Sequence, residues 1–143
     1  MLEIARSDDL VACQALRRAV FIEEQGVSEV DEVDGRDGQA LHLLARWAGQ
    51  PVGTARILVQ GDAGKIGRVC VLRAARGQGI GAALIRAAVA ELSAMDGVAE
   101  ARLGAQTHAL EFYTRLGFVA EGPEFMDAGI PHRMMARPLH PGK

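Results

Sequence analysis

Apolar and polar positions along this chain recur with two periods, and the places where the period changes mark its elements. Leu2–Ala5 alternates as a short strand, and Ser7-Asp8-Asp9 then supplies a helix cap with acidic first-turn residues. Leu10, Val11, Cys13 or Gln14, Leu16, Arg17, Val20 and Phe21 trace an imperfect helical stripe that stops at Gln25-Gly26-Val27. Alternation returns over Ala40–Trp47. Gly49-Gln50-Pro51 turns it into the branched run Val52–Gln60, which makes a hairpin. Gly61-Asp62-Ala63-Gly64 is a second turn, leading into Lys65–Leu72, whose apolar end reads as a central strand covered on both faces. From Gln78 to Met95 the period is helical again, with Ile80, Leu84, Ala88, Leu92 and Met95 on one face. Val98–Ala105 is the next strand, and Thr107–Leu116 a helix stopped by Gly117, so this stretch forms a parallel strand–helix–strand crossover. Phe118–Glu121 and Ile130–Arg137 are the last strand candidates, set apart by Gly122-Pro123 and Ala128-Gly129. The order predicts an α/β (α+β) fold.

Composition narrows what such a fold can do. The 143 residues suit a single domain over 1–143, and 49% hydrophobic with 24% charged residues is the balance of a folded globular chain. A net charge of -2 supplies no general positive field, so nucleic acid is not an expected partner and small-molecule chemistry is favoured. The two cysteines, Cys13 and Cys70, are too few for a disulfide framework, a CxxC pair or a cysteine-built zinc site. They are expected to be reduced thiols, and no metal is expected. The start carries no basic segment followed by an apolar one, and no run approaches about eighteen uncharged apolar residues. The chain is therefore expected to be cytoplasmic, with no membrane partner.

The strongest chemical signal lies between the central strand and the long helix. Arg73-Ala74-Ala75-Arg76-Gly77-Gln78-Gly79-Ile80-Gly81 joins a strand end to a helix start, where free backbone N–H groups and the helix dipole both favour an anion. Gly77, Gly79 and Gly81 can take positive φ and present successive amides as a nest, and Arg73 and Arg76 add guanidinium charge. A diphosphate fits this arrangement. The spacing Gly77-x-Gly79-x-x-Ala82 also matches a dinucleotide fingerprint, but Arg73–Arg76 separate the strand from the first glycine, and Glu100 falls inside a strand where a ribose partner should end one. No lysine–serine pair of a nucleoside-triphosphate loop is present.

Read as R-x-x-G-x-G, Arg76–Gly81 after the strand Arg68-Val69-Cys70-Val71 resembles the acyl-coenzyme A motif of the GNAT N-acetyltransferase superfamily. About thirty residues on, Ala109-Leu110-Glu111-Phe112-Tyr113-Thr114-Arg115-Leu116-Gly117-Phe118 resembles the superfamily's A-x-x-F-Y-x-x-x-G-F signature. Val20–Val27, His42, Gly53-Thr54-Ala55-Arg56 and Gly129-Ile130-Pro131-His132 resemble the ElaA/YjcF-like branch. The resemblance implies a central mixed, mostly antiparallel sheet of six to seven strands flanked by helices, with a splayed central strand pair. One helical segment usual in the family is replaced or shortened by the loop Gln25–Gln39. It also implies acetyl-CoA as cosubstrate and an amine, small-molecule or peptide, as acceptor. One departure is Gln106, where superfamily members often carry asparagine; an amide is retained.

Acetyl transfer from a thioester to an amine needs a neutral amine, a polarised carbonyl and a proton for the departing thiolate. The resemblance implies that Tyr113 donates that proton, a phenol being able to protonate a thiolate without being ionised itself. It further implies that the backbone of Val69, Cys70 and Val71 pairs with pantetheine and turns an N–H to the thioester oxygen. Arg76, Gly77, Gln78, Gly79, Ile80 and Gly81 would then hold the diphosphate, with Gln106 and Tyr113 beside the arm. Cys70 has no adjacent base in the sequence to make it an acyl carrier, so direct transfer is expected. Glu24, Glu32, Asp34, His42 and His132 are the candidate bases, with Glu24 and His42 ahead through the branch resemblance. Glu23, Glu24, Glu29, Asp31, Glu32, Asp34 and Asp37 face only Arg36 nearby in sequence, a run that reads either as a solvated surface or as a field attracting a cationic acceptor. A non-catalytic acyl-CoA-binding sensor or regulatory module is the alternative function. Exposed strand edges are compatible with a homodimer.

Overall fold

Ser7 and Asp9 start the first helix as their chemistry predicts. Ser7 Oγ accepts the Asp9 N–H at 3.1 Å, and the Asp9 carboxylate accepts the Ala12 N–H at 3.1 Å. The computed structural model describes residues 1–139, in the order β1 (Leu2–Arg6), α1 (Leu10–Arg17), α2 (Glu29–Glu32), β2 (Leu41–Trp47), β3 (Gln50–Gln60), β4 (Ala63–Val71), α3 (Ile80–Ser93), β5 (Glu100–Gln106), α4 (Leu110–Thr114), β6 (Val119–Asp127) and β7 (Ile130–Pro138). The imperfect stripe after Arg17 has a physical cause: Arg18–Glu24 winds as a π-helix, with Gln25 N–H donating to Val20 C=O at 3.0 Å.

Seven strands form one sheet in the order β1-β2-β3-β4-β5-β7-β6. All neighbours are antiparallel except β4 and β5. That parallel pair is joined only from Ala63–Lys65 to Glu100–Arg102 and then splays. Leu43 and Leu44, adjacent on β2, point to opposite faces, and each face has its own cover. On one side Leu84, Ile85, Ala88 and Leu92 of α3 pack on Ile57, Ile66, Leu103 and Met135. On the other, Cys13, Leu16 and Val20 pack on Leu44 and Cys70. The sheet thus presents its divergent centre between two helical layers.

Two expectations about irregular segments change. The loop Gln25–Gln39 contains a helical turn of its own, α2, whose cap is Ser28 Oγ accepting the Asp31 N–H at 3.1 Å. Gly122-Pro123 does not end a strand: it is a bulge inside β6, between the pairs Glu121–Met134 and Phe125–His132, and the Arg133 guanidinium donates to Gly122 C=O at 2.8 and 3.1 Å.

Candidate active site

Beyond Lys65, the edge of β4 that faces β5 has no strand partner. The gap opens into a cavity of about 310 Å³. β4 and β5 form its inner walls, Phe21 and Gln25 of the π-helical turn border one side, and Phe125 and His132 of the β6–β7 hairpin the other. Tyr113 and Gln106 both line it. Three segments distant in sequence therefore meet on one unpaired strand edge, where an extended arm with amide groups would find free backbone partners.

At the end of β4 a tight turn, Arg73–Ala75, leads to the glycines. Gly77 (φ +83°) and Gly79 (φ +79°) are left-handed, and a Cβ on either would meet nothing within 4 Å, so this backbone is open to a ligand. Gly79 is the N-cap of α3, which leaves the first N–H groups of a 14-residue helix without intrahelical partners. Gly81 departs from the expectation of positive φ; it sits in the first helical turn, where a Cβ would lie 3.7 Å from Phe112. The Ile80 side chain is in the core, so only its backbone can meet a ligand, whereas Gln78 is exposed. Arg76 is already engaged: its Nε donates to Val71 C=O at 3.0 Å, and its two terminal nitrogens donate to the Glu24 carboxylate at 2.5 and 2.6 Å.

Tyr113 packs edge-to-face on Phe112 and Phe118, with ring centroids at 4.9 and 6.3 Å. Burial pushes its phenol up, which keeps the proton on the oxygen. Gln106 donates from Nε2 to Gln25 Oε1 at 3.3 Å, tying β5 to the π-helical turn. Val69 and Val71 are half-buried on β4, while Cys70 points to the other face, where burial pushes its thiol up to about 12. A thiol so held is a poor nucleophile.

The candidate bases separate. Glu24 is gripped by Arg76, and that hydrogen bonding holds its carboxyl below the ordinary range. His42 is buried on β2, its Nε2–H donating to Asp37 C=O at 3.0 Å, and it lines a different hollow beside Ser7 and Leu41. His132 borders the cavity on β7 opposite Gln106. Its Nδ1 lies 2.7 Å from Ile130 C=O, an acceptor only, so Nδ1 carries a proton and Nε2 is the lone-pair nitrogen of the neutral ring. Phe125 stacks on the ring at 5.8 Å.

The acidic loop is where sequence reasoning missed most. Its charges Glu32, Asp34 and Asp37 do not stand free, because distant arginines meet them, whereas Asp31 lines the cavity with no ion pair of its own among the described residues. Arg17 donates to Glu32 and Asp37, Arg56 to Asp34 and Asp37, and Arg68 to Glu32 and Asp34. Arg17, Glu32 and Arg56 are 1%, 3% and 5% exposed. Arg56 holds the Asp34 carboxyl well below its usual range. For Asp37, burial pushes upward but is outweighed by hydrogen bonds from Arg17 and Gln14, which bring it to about 2. The available signal was Arg17 inside an apolar stripe and Arg56 inside a buried strand, since a charge in such a place needs a buried partner. Among the described residues no three His, Cys, Asp or Glu side chains group as a metal site, and no helix is long and apolar enough to cross a membrane.

Comparison with known proteins agrees with this geometry. A family model described as an acetyltransferase (GNAT) domain matches residues 10–139. YjcF of Bacillus subtilis, an uncharacterized N-acetyltransferase, is 37% identical over 124 residues, covering 85% of this chain and 87% of its own. Among solved structures, ElaA of Escherichia coli has a TM-score of 0.85 at 33% identity, over 96% of this chain and 99% of its own. An acyl-CoA N-acyltransferase from Pseudomonas aeruginosa has a TM-score of 0.86 at 34% identity, over the same shares of 96% and 99%.

Proposed function

The chain belongs to the GNAT acetyltransferase family, is an acyltransferase and stands with the ElaA/YjcF-like members, and from that premise we propose that it moves the acetyl group of acetyl-CoA directly to a primary amine. The observation that carries this reading is the unpaired edge of β4, with the open glycine turn after its end and Tyr113 in the lining of the same cavity. Acetyl-CoA supplies an activated carbonyl carbon, on which a C–N bond forms as the C–S bond breaks.

The residues divide the work by position. Backbone groups of Val69, Cys70 and Val71 pair with the pantetheine amides, and an N–H there takes up charge developing on the thioester oxygen. Gly77, Gln78, Gly79, Ile80 and Gly81 offer backbone N–H groups to the diphosphate, and Arg76 adds its charge once released from Glu24. Tyr113 holds its proton because it is buried, and it gives that proton to the coenzyme A thiolate. Gln106 orients the arm or the amine from the other wall. His132, which lines the cavity where Glu24 and His42 do not, accepts at Nε2 the proton lost by the amine. The Cys70 thiol, turned away and held protonated, leaves transfer direct. The acceptor is a small-molecule or peptide amine small enough to present its nitrogen to a cavity of about 310 Å³. Two buried free cysteines accord with a reducing compartment, and we place the reaction in the cytoplasm.

The test pairs binding with turnover. Calorimetry should give saturable binding of acetyl-CoA and coenzyme A but not of NAD. A thiol-release assay over a panel of amines should then give turnover that Tyr113→Phe lowers by about a hundredfold, with KM for acetyl-CoA changed less than about threefold. Wild-type turnover in Tyr113→Phe would remove the acid role, and binding of NAD without coenzyme A would overturn the whole reading.

A further inference from the structure

Among the described residues, three other than glycine have positive φ: Ala48 and Ala128 lie in hairpin turns, but Arg68 (φ +51°) lies inside strand β4. A side chain with a Cβ reaches that region only against steric resistance, so the surroundings must hold it there. The ladder shows what the conformation does. Thr54 pairs with Cys70 and Arg56 with Gly67, so Ala55 alone faces both Arg68 and Val69, and β4 carries a bulge where it has already parted from β5.

The guanidinium supplies the hold. Arg68 Nε donates to Glu32 Oε2 at 3.0 Å, and Nη2 donates to the backbone carbonyls of Asp31 and Glu32 at 3.2 and 3.1 Å. Glu32 is in turn fixed from behind, its two oxygens accepting from Arg17 at 3.0 and 3.4 Å, and Arg17 is fixed by Asp37 on its other edge. A chain of charge, buried at Arg17 and Glu32 and partly exposed at Arg68, therefore runs from α1 to the one bent residue of the strand that lines the opening. A loop anchor alone would need no such contact with a strained strand residue.

On the acetyl-transfer reading above, we infer that Glu32 is a positioning residue: through Arg68 it holds the β4 bulge in its left-handed form and so keeps a backbone N–H of the bulge turned to the thioester oxygen. Glu32 does no proton transfer, because both of its oxygens already accept guanidinium hydrogens.

Isotope-edited infrared spectroscopy of acetyl-CoA labelled with carbon-13 at its carbonyl, bound to the whole protein, reads that polarisation without any acceptor. The wild-type protein should move the carbonyl band to lower frequency, and Glu32→Gln should lose at least half of the movement. In turnover, the same variant should lose about tenfold in kcat with KM for acetyl-CoA changed less than about threefold. Arg68→Gly and Arg68→Ala both remove the guanidinium, but only glycine takes this φ freely, so the glycine variant should keep more of the band movement than the alanine variant. This pair keeps the test readable if Glu32→Gln does not fold. A wild-type band position in Glu32→Gln, or equal loss in the two Arg68 variants, would overturn the positioning role. Acetyl-CoA that binds the wild-type protein with no band movement would do the same, whereas failure of the wild-type protein to bind acetyl-CoA at all would overturn the acetyl-transfer reading itself.

Discussion

Asp37→Asn tests whether the arginine network contributes to stability as its geometry requires. The carboxylate accepts from Arg17 at 3.0 Å on each oxygen, from Gln14 at 2.9 Å and from Arg56 at 3.2 Å, and its side chain is 15% exposed. Burial opposes ionisation there, yet those donors win and bring the group from 3.8 to about 2. A carboxyl depressed in the fold binds protons more readily in the unfolded chain, so its contribution is fully present above the unfolded value and is lost as pH falls through the folded one. The difference corresponds to about 2 kcal/mol at neutral pH. Asparagine keeps the volume and loses the charge. Urea unfolding at pH 7 should therefore find the variant about 2 kcal/mol less stable, and the gap should shrink to about half by pH 3, where the unfolded wild-type carboxyl is mostly protonated. A gap that stays constant between pH 7 and pH 3, or one under about 0.5 kcal/mol at pH 7, would refute the argument.

Calorimetric titration with coenzyme A should separate the partners of the Glu24–Arg76 pair: Arg76→Ala weakens binding by about tenfold, while Glu24→Gln frees the guanidinium from an internal carboxylate and tightens binding severalfold. Gly79→Ala and Gly81→Ala should move stability in opposite directions in thermal unfolding. The first forces a Cβ into φ +79° and costs about 1–2 kcal/mol, and the second improves a helical position with only ordinary contact to Phe112. Gly64→Ala, at the start of β4, would put a methyl 2.7 Å from Cδ1 of the buried Leu92 and closer still to its Cδ2, a clash with α3 expected to cost about 1–3 kcal/mol in urea unfolding.

Much of the fold could be read from periodicity because its elements bury one face each. The α3 stripe Ile80, Leu84, Ala88 and Leu92 is buried as its spacing predicts, and the parallel crossover follows from strand, helix and strand in that order. The misses share a cause. The π-helical turn Arg18–Glu24 breaks the 3.6 period, so its stripe reads as imperfect; the β6 bulge looks like a strand end because Gly122-Pro123 punctuates, although pairing with β7 resumes at Phe125 and Arg133 of that strand bonds Gly122 C=O. Local pattern records what a residue prefers by itself, whereas these segments are set by what reaches them from elsewhere.

The same distinction runs through the active site. The open glycine turn and the place of Tyr113 could be read because both depend on neighbours in sequence, a strand end feeding a helix start or an aromatic beside its own turn. Glu24 and Glu32 are paired with arginines 52 and 36 residues away, so no local pattern separates a solvated acid from a buried anchor. What could be inferred is the need for partners: Arg17 and Arg56 lie in apolar surroundings, where an unpaired guanidinium would be costly, and the acids within Glu29–Asp37 are the supply of counter-charge. Charge balance between two regions that each look wrong alone then predicts their contact. In this chain Arg68, at the bulge of β4, joins the same acids, and its strand is the one left without a partner beyond Lys65.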